Sequence, residues 1–174
     1  MYSVISTSLN PASRSRRLAK AAVQQLQDRV RSVELVDLSA YDWPLHDGSN
    51  DNSEVAERVK RKIGQATGVV LVLPVYRNTL AVGAMNMLQQ TSKVWQRKVV
   101  GLISVAADGL SHSATLGFAN SLMLEYRTFV IPDFVFVDSK SLTNGSLDAN
   151  EKLSQQLRKM TKNLVRVTEA LKTA

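Results

Sequence analysis

Cysteine is absent from the 174 residues. That absence excludes disulfides, thiol nucleophiles, and zinc or iron–sulfur sites held by thiolates. It also suits a reducing compartment, so a cytoplasmic address is expected. Histidine is scarce: His46 and His112 are the only two. With no G-x-S-x-G turn, they give a Ser–His–Asp hydrolase little support. His46, Asp47 and Asp51 fall in the polar stretch His46–Ser53, which reads as a loop and not as a metal site. No run approaches the ~18 consecutive apolar residues of a membrane span. The apolar start, Met1–Ile5, is short and has no charged region before it. It reads as a buried strand and not as a secretory signal. Neither G-x-G-x-x-G nor G-x-x-x-x-G-K-[ST] occurs, which removes the Rossmann dinucleotide turn and the P-loop.

The remaining composition is ordinary for a globular protein, 44% hydrophobic and 21% charged. The length suits one domain over residues 1–174, since domains run to about 100–200 residues. Lys and Arg number 22 against 15 Asp and Glu, a net charge of +7, which favours anionic partners such as phosphates. The basic residues are spread over three helical segments without interleaved aromatics, so neither nucleic acid nor membrane is expected as a partner.

Apolar periodicity alternates between strand and helix along the chain. Strands are predicted at Tyr2–Ser6, Val33–Leu38, Gly68–Leu73 (ended by Pro74), Val99–Ser104 and Phe129–Val137. Helices are predicted at Arg14–Val30, Asp51–Ala66, Leu80–Trp95, Ser111–Tyr126 and Leu147–Leu171. Gly68–Leu73 is apolar throughout, as a parallel strand covered on both faces should be. Five β-α units imply a three-layer α/β fold. Its five-stranded parallel sheet carries helices on both faces and suits the flavodoxin-like order 2-1-3-4-5. Ligands of such sheets bind outside the C-terminal strand ends, which directs attention to three loops.

After strand 1 the chain reads Ser6-Thr7-Ser8-Leu9-Asn10-Pro11-Ala12-Ser13-Arg14-Ser15-Arg16-Arg17. Hydroxyls and backbone N–H groups at a helix N-terminus make an anion site, and Arg14 suits phosphate oxygens. Capping of the helix by Ser13 or Ser15 needs one hydroxyl, whereas this loop offers five. After strand 3 comes Pro74-Val75-Tyr76-Arg77-Asn78-Thr79, an aromatic, a cation and hydrogen-bonding groups suited to a planar heterocycle. Tyr76 packing at the sheet end and a solvated Arg77 would account for it equally. After strand 4 comes Val105-Ala106-Ala107-Asp108-Gly109-Leu110-Ser111-His112.

Ser8-Leu9 with Ser13-Arg14-Ser15 and Leu18-Ala19 resembles the first-loop motif of the NADPH-dependent FMN reductase family. Pro74-Val75-Tyr76 followed by Gly83-Ala84-Met85 resembles that family's second motif. The resemblance runs from residue 1 to about 140. It implies a flavodoxin-like fold with FMN at the switch point and a hydride taken from NADPH to flavin N5. Reduced flavin would then be released or passed to an acceptor such as a quinone. It implies that Ser8, Asn10, Ser13 and Ser15 hold the FMN phosphate with Arg14 close by. Pro74, Val75, Tyr76, Arg77 and Asn78 would line the isoalloxazine, with Ala107, Asp108 and Gly109 near it. Arg77 or Arg14–Arg17 are candidates for the 2′-phosphate of NADPH. Relatives often form homodimers or homotetramers, and the uncharged helix 3 suits either a subunit interface or core packing. A flavodoxin-like electron carrier without enzymatic activity is the alternative; its expected acidity is opposed by the +7 charge. The chain departs from the family pattern at Thr7 (usually Gly), Asn10 (usually basic), and Asn86 and Gln90 (usually Lys and Asp). Asp108 also stands where relatives tend to have glycine.

Overall fold

The computed structural model describes residues 1–10, 12–49, 53–107, 112–142 and 150–172. Its elements are β1 (Tyr2–Ser6), α1 (Arg14–Gln27), β2 (Val33–Asp37), α2 (Glu54–Gln65), β3 (Gly68–Tyr76), β4 (Thr79–Leu80), α3 (Val82–Thr91), β5 (Val99–Ala106), α4 (His112–Leu124), β6 (Phe129–Val130), β7 (Val135–Asp138) and α5 (Glu151–Lys172). The order across the sheet is β2-β1-β3-β5-β6, with β7 also on β5 and β4 on β3. All pairs are parallel except β3–β4. The chain thus builds outward from β1 to β2, then crosses to β3 on the other side. This is the flavodoxin-like order, and the crossing makes the ends of β1 and β3 a switch point.

Strand alternation divides the core into two halves. Val4, Val70, Val72 and Ile103 face α1 and α5, where Leu18, Leu26, Leu157, Met160 and Leu164 are buried. Ile5, Leu71, Leu73 and Leu102 face the other layer, with Val59, Ile63, Met87, Trp95, Phe118 and Leu122. Each large buried side chain contributes about 2–5 kcal/mol against truncation to alanine.

Several strand and helix boundaries differ from the sequence expectation. First, β3 does not stop at Pro74 but runs through it to Tyr76. The Val72 carbonyl faces β1, accepting from the Thr7 N–H at 3.1 Å, so Pro74, two residues on, turns its nitrogen to the same lane. Paired β1 ends at Ser6, so proline's missing donor breaks no ladder bond. Second, Leu80, expected to open helix 3, instead forms a short hairpin strand with Thr79. Arg77 and Asn78 form its two-residue turn, with φ of 50° and 61°. Third, the last predicted strand is split. Val130 pairs with Val100 and Val135 with Ile103, so the outer chain takes five steps where β5 takes three. Pro132 sits in the excess, where no N–H is required. The start of the last helix also moves. Asn150 accepts the Leu153 N–H at 3.1 Å as a cap, and α5 begins at Glu151.

Candidate functional site

The loop after β1 is held by its own short polar side chains. Thr7 is fully buried, and both its N–H and its hydroxyl donate to the Val72 carbonyl, at 3.1 and 2.9 Å. That double bond ties the loop to β3 and gives a physical role to the side chain at this departure. Ser8 is buried, and its Oγ accepts the Asn10 N–H at 3.2 Å. Asn10 in turn accepts the Ala12 N–H on Oδ1 at 2.9 Å, while its carbonyl takes the Ser13 N–H at 3.0 Å. Asn10 is therefore a turn former. Ser13 caps α1 by accepting the Ser15 N–H at 3.2 Å, and the two hydroxyls lie 2.6 Å apart. No acidic residue occupies the first turn of α1, so its positive dipole end is not offset there.

The opening of α3 presses on this loop. A Cβ on Gly83 would lie 2.5 Å from the Thr7 carbonyl oxygen and 3.1 Å from Leu9 Cγ. Glycine is required here by close approach. Arg14 reaches across the site, its Nη1 donating to the Ser139 carbonyl at the end of β7, 3.2 Å away. Arg16 pairs with Asp37 at 2.6 Å, and Arg17 donates to the Leu142 carbonyl at 2.9 Å.

These elements border a cavity of about 350 Å³ at the C-terminal end of the sheet, within the ~300–1,000 Å³ usual for small-molecule sites. One wall is Asn10, Ala12, Ser13, Arg14 and Ser15; the other is Pro74, Val75, Tyr76, Val105, Ala106 and Ala107, with Ser139 at the side. The structure thus brings together eight of the residues singled out from sequence: Asn10, Ser13, Arg14, Ser15, Pro74, Val75, Tyr76 and Ala107. Ser8 lies beneath the loop. Arg77 and Asn78 form the hairpin tip and do not line this cavity. Asn78 borders a second, more apolar groove of about 290 Å³ with Leu80, Met85, Gly117 and Phe118. Asp108 and Gly109 lie outside the described residues. Ala12, Val105, Ala106 and Ser139 were not singled out. The strand-end rule was the signal for Val105 and Ala106. Ser139 gives Arg14 a backbone carbonyl, for which no side chain type gives a signal.

The donor set fits FMN. Hydroxyls, a helix N-terminus and a guanidinium suit its phosphate, and small or aromatic walls (Ala106, Ala107, Tyr76) suit a flat ring. His112, at the start of α4, stacks on Phe136 with ring centroids 3.7 Å apart. The displaced titrations lie at the other end of the sheet. Burial pushes the Tyr2 phenol up to about 12, helped by its hydrogen bond to Glu169. Burial also lowers the Lys98 ammonium, which donates to the Ala66 and Gly64 carbonyls at the end of α2.

Asn86 and Gln90 are buried within the chain. Asn86 accepts the His46 N–H at 2.7 Å and donates to the Pro44 carbonyl at 2.9 Å; Gln90 donates to the same carbonyl at 2.8 Å. They clamp the segment after β2 onto α3, and Trp43 packs against the core beside it.

The model of the NADPH-dependent FMN reductase family matches residues 3–142. An NADPH azoreductase from Bacillus sp. (strain OY1-2) is 28% identical over 142 residues, 80% of this chain and 77% of that one. Among solved structures, an NADH:FMN oxidoreductase in its apo form aligns with a TM-score of 0.73 at 15% identity, covering 94% of this chain and 89% of the other. The flavoenzyme NAD(P)H:(acceptor) oxidoreductase FerB from Paracoccus denitrificans aligns with a TM-score of 0.73 at 17% identity, covering 97% of each. At these identities the structural likeness is one of fold. The chain belongs to the NADPH-dependent FMN reductase family. It is accordingly an oxidoreductase that works with FMN and a nicotinamide nucleotide. Among the described residues no helix is long and apolar enough to cross a membrane.

Proposed function

We propose that the protein is an NAD(P)H-dependent FMN reductase that holds its flavin in the cavity at the ends of β1, β3 and β5. One observation carries this reading: a capped, acid-free helix N-terminus and a small-residue and aromatic wall converge on a single cavity. Bound there, FMN supplies the hydride acceptor and the protein supplies position and electrostatics. Asn10, Ser13, Arg14 and Ser15 bind the phosphate, with Ser8 fixing the loop from below. Arg14 spends one of its five N–H donors on Ser139 and keeps the others for the anion. Pro74, Val75, Tyr76 and Ala107 flank the ring, and Tyr76, 57% exposed, leaves room for the nicotinamide. Holding the two rings in contact accounts for much of the rate. The open mouth lets reduced flavin leave, or lets an acceptor such as a quinone or an azo compound approach. The cytoplasm, with its nicotinamide pool, is the compartment this reading implies.

The assembly in this reading is a homodimer joined through α3 and α4. Neither helix carries a charged residue, and both expose apolar side chains: Val82, Met85, Leu116, Met123 and Leu124. Two copies at +7 repel each other elsewhere, so a second copy fits this uncharged face. Light scattering should give twice 19.2 kDa, and Leu116→Arg should yield monomer.

The activity test is the loss of NADPH absorbance with and without added FMN, together with quenching of flavin fluorescence. FMN-dependent loss, weakened by Tyr76→Ala, supports the reading. Absence of both NADPH loss and flavin quenching defeats it.

A further inference from the structure

A second cavity, of about 230 Å³, opens at the other end of the sheet, before β3 and β5. Arg97, Lys98 and Lys172 border it, and among the described residues no acid does. Lys98 is buried, and its Nζ donates to the Ala66 and Gly64 carbonyls at 2.6 and 3.2 Å. Those bonds cover two carbonyls of the cavity wall and leave one of its three donors. Lys172 donates to Glu169 at 2.8 Å, and Glu169 also accepts from the Tyr2 hydroxyl. Three cations against one shared acid leave an excess of positive charge. Thr67 and Thr168, also in the wall, spend their hydroxyl protons on the Met1 and Leu164 carbonyls. The donors left for a ligand are therefore chiefly the cations.

The backbone holds Arg97 in a place that does not suit arginine. Trp95–Lys98 is a type II turn: the Lys98 N–H donates to the Trp95 carbonyl at 3.1 Å, Gln96 has φ −54° and ψ 130°, and Arg97 has φ 62°. The third position of such a turn takes glycine or asparagine, because φ is positive there. The turn is also tied down. The Arg97 N–H donates to the Arg127 carbonyl at 3.2 Å, and the Phe129 N–H to the Lys98 carbonyl at 2.8 Å. Packing does not explain the residue type either, since Arg97 is exposed. Among the described residues its guanidinium has no hydrogen bond or ion pair. Strain kept at a cavity rim, with an unspent cation as its result, points to a ligand.

We propose that this cavity is a second anion site, which binds inorganic phosphate or pyrophosphate through Arg97, with Lys98 and Lys172 completing the charge. A planar guanidinium makes paired hydrogen bonds to phosphate oxygens, which an ammonium cannot reproduce. Several cations at one cavity favour a multiply charged anion over a carboxylate. The volume lies below the ~300–1,000 Å³ usual for small-molecule sites, so it suits an ion and not a whole nucleotide. None of these residues borders the flavin cavity, so the site is separate from the one that takes the FMN phosphate.

The test titrates phosphate and pyrophosphate by calorimetry into protein saturated with FMN, so that the first phosphate site is filled. Wild type should bind the ions, and Arg97→Gly should weaken them about tenfold. Glycine is what the turn prefers, so Arg97→Gly should melt no lower than wild type without phosphate, and its loss cannot be laid to misfolding. Phosphate should raise the Tm of wild type and leave that of Arg97→Gly nearly unmoved. Arg127→Gly is the matched control. It removes the same charge from a neighbouring residue with φ of 53° that does not border the cavity, and it should leave the affinity unchanged. Glycerol 3-phosphate distinguishes a free ion from the phosphate end of an organic ligand. It should bind more weakly than phosphate; binding as tight would keep the site and assign it to a phosphomonoester. Refusal of both ions by wild type overturns the proposal. So does equal weakening in Arg97→Gly and Arg127→Gly, which would mark only general attraction to a chain of charge +7. Unchanged affinity in Arg97→Gly overturns it as well.

Discussion

Replacing Gly83 with alanine tests how the phosphate loop is held. The new Cβ would meet the Thr7 carbonyl oxygen at 2.5 Å and Leu9 side-chain atoms at 3.1 and 3.2 Å. The first contact is with backbone, and that backbone is pinned by two hydrogen bonds to Val72. Relief therefore requires moving α3 or the loop. Overpacking of this kind costs about 1–3 kcal/mol. Alanine's better helix propensity returns up to about 1 kcal/mol, leaving a net loss on the order of 1–2 kcal/mol. For a chain of this size each kcal/mol lowers Tm by about 2–4 °C. Gly64→Ala is the control: its Cβ meets nothing within 4 Å, so it should gain up to about 1 kcal/mol. Calorimetric melts of the two variants should move in opposite directions. FMN titration should show weaker binding only in Gly83→Ala, because the moved loop carries Ser8 and Asn10. Unchanged melting and unchanged FMN affinity in Gly83→Ala would refute the claim that α3 holds the loop through this contact.

Asn86→Ala should leave the His46 N–H without its acceptor and take one donor from Pro44, costing about 1–3 kcal/mol. Faster amide exchange at His46 would report it, and unchanged exchange would count against the clamp. Ser13→Ala removes the α1 cap and should cost about 1 kcal/mol by urea melts, with FMN affinity falling in parallel. Tyr2 should shape the alkaline limb of stability. Its folded pKa of about 12 exceeds the ordinary 10, so its contribution is complete below pH 10 and lost as pH rises toward 12. The amount is on the order of 2 kcal/mol, and Tyr2→Phe should flatten that limb. Lys98 acts with the opposite sign. Burial depresses its pKa, so stability rises as pH climbs from its folded value to 10.5, and Lys98→Met should erase that rise.

How much of this was legible in the sequence depends on whether side chains or backbone hold each part. Runs such as Gly68–Leu73, and the spacing of Leu153, Leu157, Met160 and Leu164, record burial directly. They placed the strands and helices along the chain, and their strict alternation implied a parallel sheet with a helical layer on each face. The hairpin was hidden because its turn is Arg77-Asn78, with no glycine to signal positive φ. The clamp was hidden because Asn86 and Gln90 bond to the Pro44 carbonyl, 42 and 46 positions away, and a carbonyl has no residue type.

The same distinction explains why the departures from the family pattern at Thr7 and Asn10 leave the cavity intact. Thr7 bonds to a carbonyl of β3 and Asn10 to backbone N–H groups of its own loop, just as Arg14, which keeps the family pattern, bonds to the carbonyl of Ser139. Backbone partners persist whatever side chains surround them, so a loop closed on carbonyls tolerates exchange of its side chains. It does not tolerate displacement of those carbonyls. Substitution at Gly83 should therefore disturb flavin binding more than loss of the Asn10 side chain, even though Gly83 offers a ligand no polar side chain.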